Sequence, residues 1–144
     1  MIAVDTNVLV YAHRRDHHLH ERAAVALRSL AEGLEAWGML WPCLHEFLAF
    51  VTHPRIFNPP SLPSEAIAQV DAWLESPTVI VLGERFDHWR HLSALLEAGD
   101  VRGPLVHDAR VAALCLSQGV TELWTADRDF GRFPRLRARN PLVG

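Results

Sequence analysis

Long apolar runs are missing from this chain. Nothing in its 144 residues approaches the roughly 20 consecutive apolar residues that cross a bilayer. The opening Met1-Ile2-Ala3-Val4-Asp5 has neither the basic flank nor the extended apolar stretch of a secretory signal, so the expected location is the cytoplasm. Cysteine is scarce. Cys43 and Cys115 each lie among apolar residues with no second Cys or His at ligand spacing, and buried free thiols are expected rather than a disulfide. Gly-x-Ser-x-Gly, a Walker A loop, Cys-x-x-Cys and His-Glu-x-x-His are all absent, which removes the motif-based cases for several other chemistries. An excess of positive charge is lacking too. With 14 Lys plus Arg against 17 Asp plus Glu, the bulk charge does not mark a nucleic-acid binder. If four of the acids gather in one site, the other 13 face those 14 cations, and local basic stretches such as Arg132 to Arg139 matter more than the total.

The residues that are present, 49% hydrophobic and 22% charged, describe an ordinary globular chain. Its length suits one domain covering residues 1–144, and no repeat, linker or low-complexity segment argues for a second. Strand-like and helix-like segments alternate, which predicts an α/β fold with a mainly parallel sheet. Ile2 to Val4 reads as a buried central strand and Asn7 to Tyr11 as a short helix. Ala23, Leu27, Leu30 and Leu34 predict the inner face of a helix ending near Gly33. A strand is expected over Gly38 to Trp41, then a helix opened by Pro42 with Leu44, Phe47, Leu48 and Val51 as its apolar stripe. After the stiff Asn58 to Pro63 loop, Ile67, Val70 and Leu74 mark another helix, and Thr78 to Leu82 a strand. Trp89, Leu92 and Leu96 predict the inner face of the next helix. Val111, Leu114 and Cys115 define a helix closing at Gly119, followed by a strand from Glu122 to Thr125 and a possible edge strand between Leu136 and Pro141.

In open parallel sheets, sites form where strands end at their carboxyl side. Asp5 and Asp127 stand at such ends, Glu46 lies in the first turns after the second strand, and Asp108 lies near the start of the helix before the last long-range strand. Carboxylates alone can hold a hard divalent ion such as Mg²⁺, which can drive phosphodiester hydrolysis without a protein nucleophile. Each acid also has a structural reading. Asp5, Asp127 or Asp129 can cap a helix, Glu46 can be a solvated side chain opposite its helix's apolar stripe, and Asp108 can complement a helix dipole.

The motifs, taken in order, resemble the PIN-domain ribonucleases and especially the VapC-type toxins of bacterial toxin–antitoxin pairs. Ile2-Ala3-Val4-Asp5-Thr6-Asn7-Val8-Leu9 is similar to the family's opening strand and first acid. Leu44-His45-Glu46-Phe47, with Thr52-His53-Pro54-Arg55-Ile56-Phe57 after it, resembles the second. Val106-His107-Asp108-Ala109-Arg110 and Thr125-Ala126-Asp127-Arg128-Asp129-Phe130 resemble the third and fourth. The resemblance implies a Rossmann-like sheet with helices on both faces. It also implies that Asp5 and Asp108 are the main Mg²⁺ or Mn²⁺ ligands, with Glu46, Asp127 and possible help from Asp129 completing the pocket. Thr6, Asn7 and Thr125 would support it. RNA as substrate, a homodimer and a cognate VapB-type antitoxin are implied in the same way.

Two other readings share parts of this pattern. A catalytically silent module of the same fold would keep the acids as caps. A phosphatase of the haloacid dehalogenase type also begins with an aspartate after its first strand, but needs Asp-x-Asp where this chain has Asn7. Four histidines, His13, His17, His18 and His20, cluster with Arg14 and Arg15; a solvated loop is expected there, with contact to RNA phosphates or bases as the functional alternative. Tryptophans 37, 41, 73, 89 and 124 fall mostly on expected inner faces, so core or dimer packing is favoured over base stacking.

Overall fold

The computed structural model describes residues 1–144. Strand β1 (Ile2–Val4) leads into helices α1 (Thr6–His13) and α2 (His20–Ala31), then β2 (Trp37–Leu40), α3 (Trp41–Val51) and α4 (Pro63–Leu74). Strand β3 (Val79–Leu82) is followed by α5 (His88–Ala98), α6 (Leu105–Ser117) and β4 (Glu122–Trp124). A 3₁₀ turn (Arg128–Arg132) connects β4 to β5 (Arg137–Arg139). Every strand pairing is parallel, and the order across the sheet is β3-β2-β1-β4-β5.

That order decides where a site can form. Beyond the carboxyl ends of the neighbours β1 and β4 the chain leaves in opposite directions, toward β2 on one side and β5 on the other. A crevice opens between such ends. Helices α1 to α4 pack as one group and α5 with α6 as another, and right-handed crossovers of opposite direction put the groups on opposite faces. No helix is long and apolar enough to cross a membrane.

Local chemistry accounts for most boundaries. Pro42 sits in the first turn of α3, where its missing N–H costs nothing. The Glu65 carboxylate accepts the Leu62 N–H at 2.8 Å and secures the start of α4. Beyond α6, Gly119 takes φ +72°, a left-handed conformation that stops the helix and turns the chain toward β4. The edge strand β5 carries Arg137 and Arg139, which reach Glu122 on β4 at 2.9 and 3.9 Å. Two residues of the basic stretch therefore serve the sheet edge, and charge there discourages pairing with another chain.

Several sequence expectations need correction. Helix α2 ends at Ala31, so Leu34 lies beyond it and is 99% exposed rather than inward. Strand β2 begins at Trp37 and stops at Leu40; Trp41 already belongs to α3 and is exposed. The inner side of α4 is Ala66 and Trp73 with Val70, while Ile67 and Leu74 face outward. Trp89 is 69% exposed, and Leu95 is the buried residue of α5. In β3, Ile80 is exposed because the strand is an edge. Trp37, Trp73 and Trp124 are in the interior as expected.

Candidate metal centre

Asp5 follows β1 directly and is the N-cap of α1, with extended backbone at φ −80° and ψ 162°. Its side chain is almost surrounded. Oδ1 accepts the Thr6 N–H at 2.8 Å and the Cys43 thiol at 3.5 Å; Oδ2 accepts the Thr125 hydroxyl at 2.7 Å and the Asn7 amide at 3.3 Å. Burial raises the Asp5 pKa, the hydrogen bonds from Thr125, Thr6 and Cys43 oppose that rise, and the Glu46 charge adds to it.

Thr125, the residue after β4, joins the two halves of the crevice. Its buried hydroxyl donates to Asp5 and accepts from the Asn7 amide at 3.2 Å and the Asp127 N–H at 3.0 Å. The Asn7 carbonyl in turn accepts the Ala126 N–H at 3.0 Å. Segments 120 residues apart in sequence are thereby held at one point. Asp127 caps the 3₁₀ turn by accepting the Asp129 N–H at 2.8 Å.

Glu46 is exposed on α3, and its carboxylate accepts the Thr6 hydroxyl at 3.1 Å. Asp108 lies in the first turn of α6 and is half-buried. Its pKa is pushed up to about 6, first by burial and then by the charges of Asp127, Asp5, Asp129 and Glu46. One carboxylate oxygen from each of Asp108, Asp127 and Asp129 lies within 4.8 Å of the others. Asp5, Glu46, Asp108 and Asp127 line one cleft of about 490 Å³ together with Thr6 and Asn7. An all-oxygen, all-carboxylate donor set of this kind fits a hard divalent cation. Like charges crowded beside low-dielectric protein raise each other's pKa, and a bound cation relieves that cost.

Residues in and beside the cleft have no role read from the sequence, except His17, for which contact with RNA is one of the two expectations. Cys43, buried as a free thiol, lies against Asp5; its position three residues before Glu46 on α3 was the available signal. Val10, Tyr11, His17, Phe50, Ile56 and Phe57 complete the wall. The histidine segment is only partly a solvated loop. His13 bonds Gln69 and Ser61 at 3.1 and 2.9 Å, and His20 bonds the Tyr11 carbonyl at 3.0 Å. Arg14 is buried, pairs with Asp16 at 2.6 Å and lies 4.4 Å over the Phe57 ring, so a contact with RNA phosphate is not its place.

Residues 2–136 match the model of the PIN domain. The chain belongs to the PIN-domain family. Within it, a VapC ribonuclease of Mycobacterium bovis is 42% identical over all of this chain and 97% of its own length. Ribonuclease VapC48 of Mycobacterium tuberculosis is 31% identical, with 97% of each chain covered. Among solved structures, VapBC2 from Rickettsia felis, bound to a DNA fragment from its promoter, has a similar fold with a TM-score of 0.70 at 19% identity, covering 97% of this chain and 98% of that one. VapC20 of Mycobacterium tuberculosis, a toxin that cleaves the sarcin–ricin loop, matches with a TM-score of 0.67 at 20% identity, covering 91% and 93%. These PIN relatives run the full length of the sheet and its helices, so the expected α/β Rossmann-like class and VapC-type kinship both hold.

Proposed function

We propose that this PIN domain is a metal-dependent endoribonuclease and the toxin of a VapBC-type pair, using Mg²⁺ or Mn²⁺ in the acidic cleft. The observation that carries the reading is the convergence of Asp5, Glu46, Asp108 and Asp127, from four separate elements, on one cleft at the switch point of the sheet. Full-length relatives named VapC ribonucleases support the substrate class. Neighbours solved as VapBC complexes support an antitoxin as partner; a homodimer in the cytoplasm belongs to the same proposal and rests on the resemblance and the sequence alone.

In this reading Asp5 and Asp108 are the principal ligands, and Glu46 and Asp127 complete the pocket with Asp129 beside them. Bound there, a divalent cation lowers the pKa of water and offsets charge developing on the phosphodiester. The chain supplies the geometry. Thr125, Thr6 and Asn7 fix both Asp5 oxygens by hydrogen bonds of 2.7 to 3.3 Å, which leaves the carboxylate one orientation toward the cleft. Thr6 links Asp5 to Glu46 through its N–H and its hydroxyl. Asn7 carries an amide, which has no acidic proton to give, and its groups are bonded to Asp5, Thr125 and Ala126, so it cannot be the general acid that a dehalogenase-type phosphatase requires.

The test is cleavage of single-stranded RNA with Mg²⁺ or Mn²⁺, with EDTA, and with Asp5→Ala and Asp108→Ala proteins whose circular dichroism matches the parent. Cleavage should vanish in all three controls. An Asp108→Ala protein that cuts at the parent's rate would refute the site assignment, and a parent that binds metal but cuts no RNA would favour the silent module.

A further inference from the structure

Much of the cleft that holds the acids is not acidic. Beyond the acids, Thr6 and Asn7, its lining is Val10, Tyr11, His17, Phe50, Ile56 and Phe57. Phe50 and Ile56 leave 41% and 46% of their surface open, which core packing does not explain. The rings here are held in place. Tyr11 stacks on His17 with centroids 4.1 Å apart and planes within 16°, and His18 continues the column at 4.6 Å. His17 Nδ1 accepts the Leu19 N–H at 3.1 Å, and the Arg14 guanidinium, paired with Asp16, pins Phe57. Burial, and then the neighbouring His18, lower the pKa of the His17 imidazole, with Asp16 opposing them, and this favours the neutral ring.

We propose that this aromatic part of the cleft is a nucleobase subsite, which receives an unpaired base next to the phosphodiester held at the acids. The proposal rests on the ribonuclease reading above. A phosphodiester at the carboxylates carries a nucleoside on either side, and the wall continuous with those carboxylates is the ring-lined one. Unstacked bases of single-stranded RNA bind to proteins by stacking on rings of this kind. The cleft volume, about 490 Å³, lies within the range of small-ligand sites. Specificity for the base beside the cut would then arise from the contacts of Tyr11, His17 and Phe50.

The experiment uses a short single-stranded RNA carrying 2-aminopurine at each position in turn, bound to the full chain with Ca²⁺ as the cation. Stacking quenches the probe, and the quench should be confined to one or two adjacent positions. Phe50→Ala and His17→Ala should abolish it and weaken RNA binding about tenfold, with Mn²⁺ affinity by calorimetry unchanged. Phe50 is exposed, so its variant carries the test even if His17→Ala fails to fold. A quench that is absent or spread evenly along the RNA overturns the proposal, as do variants that bind RNA like the parent. Loss of antitoxin binding with RNA binding intact also overturns it and assigns the rings to a protein partner. RNA that is quenched locally but never cut by the parent with Mn²⁺ would sink the nuclease reading and leave the base subsite standing.

Discussion

Removing the charge of Asp108 should stabilise the metal-free protein. The carboxyl is held at about 6 against an ordinary 3.8, by burial and by its acidic neighbours. At about 1.4 kcal/mol per pH unit this costs the ionised native state about 3 kcal/mol, which screening of a half-exposed group reduces to about 1–2 kcal/mol. Below the unfolded value the carboxyl is protonated in both states and the cost is nil. Between about pH 4 and pH 6 the unfolded chain ionises first and the cost grows; above pH 6 it is fully present. Asp108→Asn keeps the shape and deletes the charge. Its lost attraction to the α6 dipole, about 0.3–1 kcal/mol, offsets only part of the gain. In thermal denaturation with EDTA the variant should therefore melt up to about 3–6 °C above the parent at pH 8, and the gap should close toward pH 4. Added Mg²⁺ should reverse the order. A hundredfold excess over Kd adds about 2.7 kcal/mol to the parent and little to the variant. If Asp108→Asn melts below the metal-free parent at pH 8 and both respond equally to Mg²⁺, Asp108 is a structural residue and the shared acidic cleft is the wrong description.

Three further outcomes follow from the same geometry. Thr125→Val removes the hydroxyl that joins Asp5, Asn7 and Asp127; Mn²⁺ affinity by calorimetry should fall about 10–100-fold, with Thr125→Ser retaining most of it and equal affinities in all three refuting the role. Arg14→Ala should lower stability in urea by about 1–3 kcal/mol while leaving the salt dependence of RNA binding unchanged; a shallower salt slope would restore Arg14 as a phosphate contact. Expression in a bacterial host should arrest growth, and Asp5→Ala or a co-expressed antitoxin should relieve it. An inactive variant of equal toxicity would point to another cause.

The strands were readable because buried β-branched and apolar runs between turn residues leave few alternatives; Ile2 to Val4 and Glu122 to Trp124 fall within a residue of expectation. Errors on the helices came from phase. Ile67 and Leu74 of α4 face outward although they are large and apolar, while Ala66 is fully buried beside Trp73, since alanine fits where a close approach leaves no room for a larger side chain. Trp89 shares a helical spacing with Leu92 and Leu96, yet it stands in the first turn of α5 and is exposed, so the period alone misplaces it. Asp5 and Asp127 stand out in the sequence by their places at strand ends, whereas Glu46 and Asp108, on helices, stand out only through the ordered motifs that resemble the family. Cys43 and the Tyr11–His17 column do not stand out, because their neighbours come from other elements and appear only when the chain has packed.

The Thr125–Asp5 bond ties the beginning of the chain to its last quarter. Asp108, Asp127 and Asp129 also belong to the final third, so of the clustered acids the first hundred residues supply only Asp5 and Glu46. A nascent polypeptide emerges in order, and the pocket cannot assemble until its closing strands have left the ribosome and docked. On the proposed reading, a nuclease that needs all of these acids has no complete site until that docking has taken place.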